Sequence, residues 1–345
     1  MDIIRDKDAV ETLSVGASQL LFSRLTGVIV LTNETGNRIA CGLRRGLTQA
    51  QIAQALASQL LISLTASNAL VSDTLNNWTR AGLFETERRQ FARPVSPLEH
   101  IPAADLACWI DGRLVGIACA DALLRGQLEV ILDSICCPPD PAVDADITVR
   151  CVEADLAVHA GAEPVWGRCS RDEARHFVLW EIAERVLGPN RTSAILHAGC
   201  VAGPQGAVIL TGHSGRGKSI LTLGLHAEGY SFVADDHLPL HREGQHVAAF
   251  PVAVGAKRDA WQLPEVNQAD IGDGHVESTA RDGVHFLPLE RREKLGACHP
   301  VAAVVLPHYD PNESNRLTRL SPEDGLSAVV DAGARPTRRL NTMTP

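Results

Sequence analysis

The chain has 345 residues, enough for two or three domains, and its 45% hydrophobic and 21% charged residues are typical of a soluble globular protein. Its formal net charge of −9 disfavours a nucleic-acid partner, because such proteins usually carry a basic face. The sequence contains no apolar run of about eighteen residues, so we predict no membrane span. The charged start MDIIRDKDAVE does not match a secretion signal. The nine scattered cysteines contain no CxxC pair, which predicts reduced thiols in a cytoplasmic protein.

The first part of the chain is predicted to form one strand followed by three helices. A short apolar strand, Val28 to Leu31, precedes a helix around Ile39. Thr48 and Gln51 have the spacing of a capping box, which predicts the start of a second helix. That helix carries apolar residues at four-residue steps, namely Ile52, Leu56 and Leu60. A third amphipathic stretch is predicted to end at Gly82, and together these elements indicate a small winged-helix-like unit.

The stretch RPVSPLEHIP holds three prolines and predicts a linker, which divides the chain into domains 1–95 and 96–345. Beyond it, ACWIDGRLVGIACA predicts a β-hairpin that turns at Asp111–Gly112, and DITVRCV and DLAVHA predict two more strands. A capping box at Ser170 and Glu173 begins the clearest helix of the chain. AILHAGCVA and GAVILTG are apolar and β-branched, and we expect them to pair as strands.

The motif GHSGRGKS matches GxxxxGK[ST] at each fixed position and predicts a nucleotide site. Its residues are Gly212, His213, Ser214, Gly215, Arg216, Gly217, Lys218 and Ser219. The glycines allow backbone N–H groups to converge on phosphate oxygens, while the lysine reaches the β- and γ-phosphates and the serine hydroxyl ligates Mg²⁺. An apolar strand before the motif and an amphipathic helix after it supply the expected context, since the helix N-terminus also favours an anion.

A paired aspartate, Asp235 and Asp236, follows the predicted strand YSFVA soon after the loop helix. We expect this strand to lie next to the loop strand and to bring both carboxylates to the phosphate site. One carboxylate suffices for Mg²⁺, and the other is then available to accept a proton from an attacking hydroxyl, as in a kinase. The alternative interpretation is that the pair only caps a turn.

The segments HAGCV, GHSGRGKS and GYSFVADD resemble the HPr kinase/phosphorylase family, whose fold core is shared with phosphoenolpyruvate carboxykinase. The resemblance implies a catalytic set of His197, Lys218 and Asp235, with Asp235 accepting the proton of a protein or peptide hydroxyl. It also implies ATP as the donor, Ser219 as a Mg²⁺ ligand, and an oligomeric assembly. Asp236 is predicted separately as a Mg²⁺ ligand, in place of a signature of the family that this chain lacks.

The resemblance is sharp over residues 195–240 and diffuse beyond them, and a later glutamate-bearing, glycine-rich signature of the family is not found. Four acidic residues are loose candidates for the missing metal ligand: Glu265, Asp270, Asp273 and Glu277. Lys257 and Arg258 form a basic pair that either clamps a phosphate or peptide carboxylate or is an ordinary exposed pair.

The segments LTNETGNRIACGLRRGLTQAQIAQALASQ and VSDTLNNWTRAGLF resemble the PqqD-like family. This resemblance implies that the N-terminal domain binds the leader segment of a ribosomally made precursor peptide by strand addition. A purely structural winged helix is the alternative. The fold expected for the whole chain is α/β, with an HPr kinase/carboxykinase-like P-loop domain after a winged-helix domain.

Three functions remain open at this stage. The first is a kinase that phosphorylates a Ser or Thr hydroxyl of a protein or precursor peptide. The second is a small-molecule or pathway-regulating enzyme related to HPr kinase. The third is a scaffold that holds a nucleotide without turnover.

Overall fold

A computed structural model describes residues 10–15, 18–23, 28–84, 95–140, 142–188, 191–257, 283–310 and 312–336. These residues form a mixed α/β structure with seven helices and several sheets, which confirms the predicted α/β class. The chain separates into two compact units, one built on Met1–Gln90 and Ser314–Asp331, the other on Phe91–Glu313 and Ala332–Thr337. None of the described helices is both long and apolar enough to cross a membrane.

The first unit combines an antiparallel sheet with helices. Its strands, in the spatial order β1-β2-β3, are β1 (Val10–Val15), β2 (Ser18–Ser23) and β3 (Ile29–Thr32). Its first three helices are α1 (Glu34–Arg44), α2 (Gln49–Leu60) and α3 (Leu64–Ala81). The sequence analysis predicted β3 and these three helices but did not predict β1 and β2.

Local capping sets the ends of these helices. The predicted capping box is confirmed, because Thr48 and Gln51 bond reciprocally at the start of α2. The predicted stop of α3 is also confirmed, since Gly82 takes the left-handed φ of 83° that favours glycine. The core between sheet and helices contains Leu21, Ile39, Leu56, Val71 and Trp78, all at most 4% exposed.

The second unit begins with a six-stranded sheet of spatial order β6-β4-β5-β7-β8-β9. Its strands are β4 (Leu106–Ile110), β5 (Arg113–Cys119), β6 (Cys136–Cys137), β7 (Ile147–Val152), β8 (Asp155–Ala160) and β9 (Glu163–Cys169). Helices α4 (Ala122–Leu132) and α5 (Arg171–Ala183) accompany it. The predicted hairpin at Asp111–Gly112 and the capping box of Ser170 and Glu173 are both confirmed.

An eight-stranded sheet carries the phosphate-binding motif. Its strands are β10 (Thr192–Leu196), β11 (Ala198–Gly203), β12 (Gly206–Thr211), β13 (Ser231–Ala234), β14 (Leu238–His241), β15 (His246–Ala248), β18 (Cys298–Val305) and β19 (Arg335–Pro336). Their spatial order is β13-β11-β12-β18-β15-β14-β10-β19. A separate pair consists of β16 (Val254–Lys257) and β17 (Val284–Leu287). Helix α6 (Lys218–Ala227) follows β12, and α7 (Pro322–Asp331) belongs to the first unit.

The predicted pairing of the two strands before the loop is confirmed, but the predicted place of β13 is wrong. β11 pairs with β12 in an antiparallel hairpin, and β13 pairs with β11 rather than with the loop strand β12. The other neighbour of β12 is β18, so no edge of β12 is left for β13. Since β13 and β12 are both antiparallel to β11, they run in the same direction and their carboxyl ends meet at one edge of the sheet.

Candidate functional site

The phosphate-binding motif forms the turn between β12 and α6. Gly212, Gly215 and Gly217 have φ values of 144°, 83° and 89°, a region that other residues rarely adopt. Residues 213–216 are exposed. The loop therefore needs its glycines for backbone conformation, and it leaves the N-terminus of α6 accessible to an anion.

The lysine of the motif lies folded across the loop. Lys218 is the first residue of α6 and only 6% exposed, and its Nζ donates to the carbonyl of Gly212 at 2.8 Å and that of His213 at 3.4 Å. Burial lowers the pKa of Lys218, while Asp236 and Asp235 oppose this shift. The ammonium group is thus held on the inner side of the loop, near both carboxylates.

The serine of the motif is held by the first aspartate. Ser219 Oγ lies 3.1 Å from each carboxylate oxygen of Asp235, to which it donates, and the backbone N–H of Gly255 donates to one of these oxygens at 3.3 Å. Asp235 is only 4% exposed, and burial, followed by the charge of Asp236, raises its pKa well above the usual range.

The pair Ser219 and Asp235 fits a magnesium ion. Mg²⁺ prefers oxygen ligands at about 2.1 Å in octahedral geometry, which places adjacent ligand atoms about 3 Å apart. The 3.1 Å separation of the hydroxyl and carboxylate oxygens, which are hydrogen-bonded to each other, is compatible with this spacing. A bound cation would also favour the ionised form of the buried carboxylate, opposite to the effect of burial alone.

The second aspartate faces the opening of the site. Asp236 has a left-handed backbone with φ of 63°, which aspartate tolerates better than most residues, and its side chain is 49% exposed. Its Oδ1 lies 3.7 Å from Nδ1 of His197, which sits between β10 and β11. Burial lowers the pKa of His197 and Lys218 lowers it further, although Asp236 opposes both. Thus the left-handed turn directs two neighbouring carboxylates into different environments, one buried and one accessible.

A close approach between β11 and α6 supports this site, and the sequence analysis did not single it out. A Cβ placed on Gly199 would lie 2.2 Å from Oγ1 of Thr222 and 3.5 Å from Oδ1 of Asp235. Thr222 is fully buried, and its hydroxyl donates to the carbonyl of Lys218 at 3.0 Å. The sequence signal was the glycine inside an apolar strand, which often marks a close contact.

The structure brings together the main predicted site residues but describes only some of the minor candidates. His197, Lys218, Ser219, Asp235 and Asp236 share one edge of the eight-stranded sheet. Lys257, at the end of β16, is exposed, and its charge reaches Lys218, whose pKa it lowers. Five other candidates lie outside the described residues: Arg258, Glu265, Asp270, Asp273 and Glu277.

Comparisons with known proteins give little further information. No family model and no curated protein matches the sequence. The solved structure "TbiB1 in Complex with the TbiA(beta) Leader Peptide" matches 23% of this chain and 93% of its own, with 21% sequence identity and a TM-score of 0.21. A TM-score of this size does not establish a shared fold, so both family resemblances stay predictions from their motifs.

Proposed function

We propose that the chain is an ATP-dependent kinase, with Mg²⁺ as cofactor, that transfers the γ-phosphate to a Ser or Thr hydroxyl of a protein or ribosomally made precursor peptide. The observation that carries this proposal is the environment of the two aspartates beside the GHSGRGKS loop. One is buried against the loop serine, and the other is accessible beside a histidine. Phosphoryl transfer requires these two roles, a metal ligand and an acceptor for the hydroxyl proton.

The geometry favours an exchange of the two roles that the sequence analysis predicted for Asp235 and Asp236. Asp235 is enclosed and already accepts hydrogen bonds from Ser219 and Gly255, so it suits metal binding better than contact with an incoming substrate. The half-exposed carboxylate of Asp236 is accessible to an acceptor hydroxyl. We therefore assign Asp236 as the general base, with Ser219 and Asp235 as the Mg²⁺ ligands.

In the proposed reaction each group has one task. Lys218 and the backbone N–H groups of the loop bind the β- and γ-phosphates. Mg²⁺, when bound, neutralises charge that develops on the phosphate oxygens. The acceptor oxygen forms its bond to the γ-phosphorus while the bond to the bridging oxygen of ADP breaks, and Asp236 takes the hydroxyl proton. His197, whose pKa burial lowers, has its Nδ1 3.7 Å from Oδ1 of Asp236, and we assign it to orient that carboxylate.

The first unit is proposed to bind the leader of the peptide substrate. Its three-stranded sheet has β2 in the centre and β1 and β3 at the ends, so an extended peptide has a strand edge to join. The PqqD-like sequence motifs favour the same function. Linking this unit to a kinase would raise the local concentration of a weakly bound acceptor.

Paired substitutions in the full chain test the proposed roles. We expect Asp236→Asn to keep the wild-type affinity for Mg²⁺-ATP and to slow phosphoryl transfer by about 10²- to 10⁴-fold, the usual contribution of a general base. Asp235→Asn should instead weaken the binding of Mg²⁺ and of Mg²⁺-ATP. Affinity is measured by calorimetry, and transfer is measured both to water, as phosphate release, and to a library of peptides that contain serine and threonine.

Glu228→Gln is the matched control, because it neutralises an exposed acid at the far end of α6. A wild-type chain that does not bind Mg²⁺-ATP would refute the nucleotide site. Binding without transfer to any acceptor would support the scaffold alternative instead. A different result would reverse the assignment. If Asp235→Asn kept its metal affinity but lost transfer while Asp236→Asn stayed active, Asp235 would be the general base, as predicted from the sequence.

A further inference from the structure

The segment that follows β18 lies alongside the phosphate-binding loop. β18 is parallel to β12, and Val305 is paired with Leu210, so both strands end at the same edge of the sheet. Beyond that edge, the guanidinium group of Arg216 contacts the ring of His308. A Cβ placed on Gly217 would lie 4.0 Å from Cβ of Tyr309. His308 and Tyr309 therefore lie beside the loop, and Arg216 links the loop to this segment.

Tyr309, in this segment, carries an exposed aromatic ring. The chain has only two tyrosines and 4% aromatic residues, so few aromatic side chains are available outside the cores. Among the Phe, Tyr and Trp residues whose burial the structure describes, Trp109 and Tyr309 are the two exposed ones, at 60% and 77%. Trp109 lies on β4 of the six-stranded sheet, whereas Tyr309 is beside the phosphate-binding loop.

We propose that Tyr309 is the platform on which the base of a nucleoside triphosphate stacks, and that it makes the site prefer a nucleoside triphosphate to inorganic polyphosphate. This inference rests on the proposed function, since it requires phosphates in the loop. A tyrosine ring offers a flat apolar face, and base–aromatic stacking tolerates every base because each has a π-face. The contact of Arg216 with His308 holds the segment that carries the ring, so phosphates and base are bound by connected parts of the chain.

The test compares two triphosphates, only one of which carries a nucleoside. Wild type and variants of the full chain are titrated with ATP and with inorganic tripolyphosphate, each with Mg²⁺, by calorimetry. We expect Tyr309→Ala to weaken ATP binding by about five- to 150-fold and to leave tripolyphosphate binding within about twofold, because stacking acts on the base alone. Tyr309→Phe should keep the wild-type affinity for ATP. Trp109→Ala, which removes the other exposed aromatic ring, should keep it as well.

Each other outcome has a distinct meaning. Wild-type affinity for ATP in Tyr309→Ala would refute the platform. An equal loss of ATP and tripolyphosphate binding would also refute it, because the side chain would then act on the loop rather than on a base. If the wild-type chain bound tripolyphosphate but did not prefer ATP, the result would support the phosphate-binding site and refute stacking of the base on Tyr309. If it bound neither ligand, the proposed function itself would fail.

Discussion

Replacing Gly199 by alanine should loosen the contact between β11 and α6 that supports the site. The new Cβ would lie 2.2 Å from Oγ1 of Thr222, whereas ordinary contacts begin at about 3.4 Å. Gly199 is not among the residues with positive φ, so alanine adds no backbone strain there. The buried Thr222 side chain is held by its hydrogen bond to the carbonyl of Lys218 and cannot simply turn away. The expected result is a shift of α6 away from the strand.

The size of the effect follows from overpacking. Inserting one methyl group into a filled core costs about 1–3 kcal/mol of unfolding free energy. For a unit of this size each kcal/mol lowers Tm by about 2–4 °C, so we expect a decrease of about 2–12 °C. Since the same Cβ would lie 3.5 Å from Oδ1 of Asp235, a shift of α6 should also disturb the Ser219–Asp235 pair and weaken Mg²⁺-ATP binding.

A double-mutant cycle tests this explanation. Thr222→Ala removes the clashing oxygen, and the next atom, Cβ, would lie at an acceptable 3.5 Å. The double variant should therefore be about as stable as Thr222→Ala alone, with a coupling free energy of at least about 1 kcal/mol. Gly126→Ala on α4, where no described atom lies within 4 Å of the new Cβ, is the control and should not destabilise the chain. Thermal unfolding followed by circular dichroism gives the values; additive effects of the two substitutions would refute the reasoning.

Two further predictions concern pH and a helix end. Burial lowers the pKa of His237 well below the usual range, so its contribution to stability is present above pH of about 6.5 and is lost as the pH falls towards its folded-state pKa. His237→Gln should therefore show a shallower loss of Tm than wild type between pH 7 and 5, and equal slopes would contradict the assignment. Leu61 is 92% exposed in a left-handed conformation with φ of 55°, so Leu61→Gly should stabilise the chain by about 0.5–1 kcal/mol in urea unfolding. The control Leu64→Gly, inside the first turn of α3, should destabilise the chain. A loss of stability in Leu61→Gly would contradict the prediction that the left-handed backbone of Leu61 is unfavourable.

The structure also shows why the sequence analysis missed parts of the fold. The residues of β1 and β2 carry no strong local pattern, and their strands form because they pair with each other and with β3. Likewise, β13 pairs with β11 because β18 occupies the other edge of β12. The pairing of β12 with β18 joins residues that are far apart in the sequence. Periodicity describes what one segment prefers and contains no information on its neighbours in space.

Sequence alone determined the features that depend on local chemistry. The glycines and lysine of GHSGRGKS, the capping box of Thr48 and Gln51, and the turn at Asp111–Gly112 are all specified by residues a few positions apart. Only the tertiary structure separated the two aspartates. The left-handed φ of Asp236 and the packing of α6 on β11 enclose Asp235 and expose its neighbour, because burial is set by contacts between elements rather than by residue type.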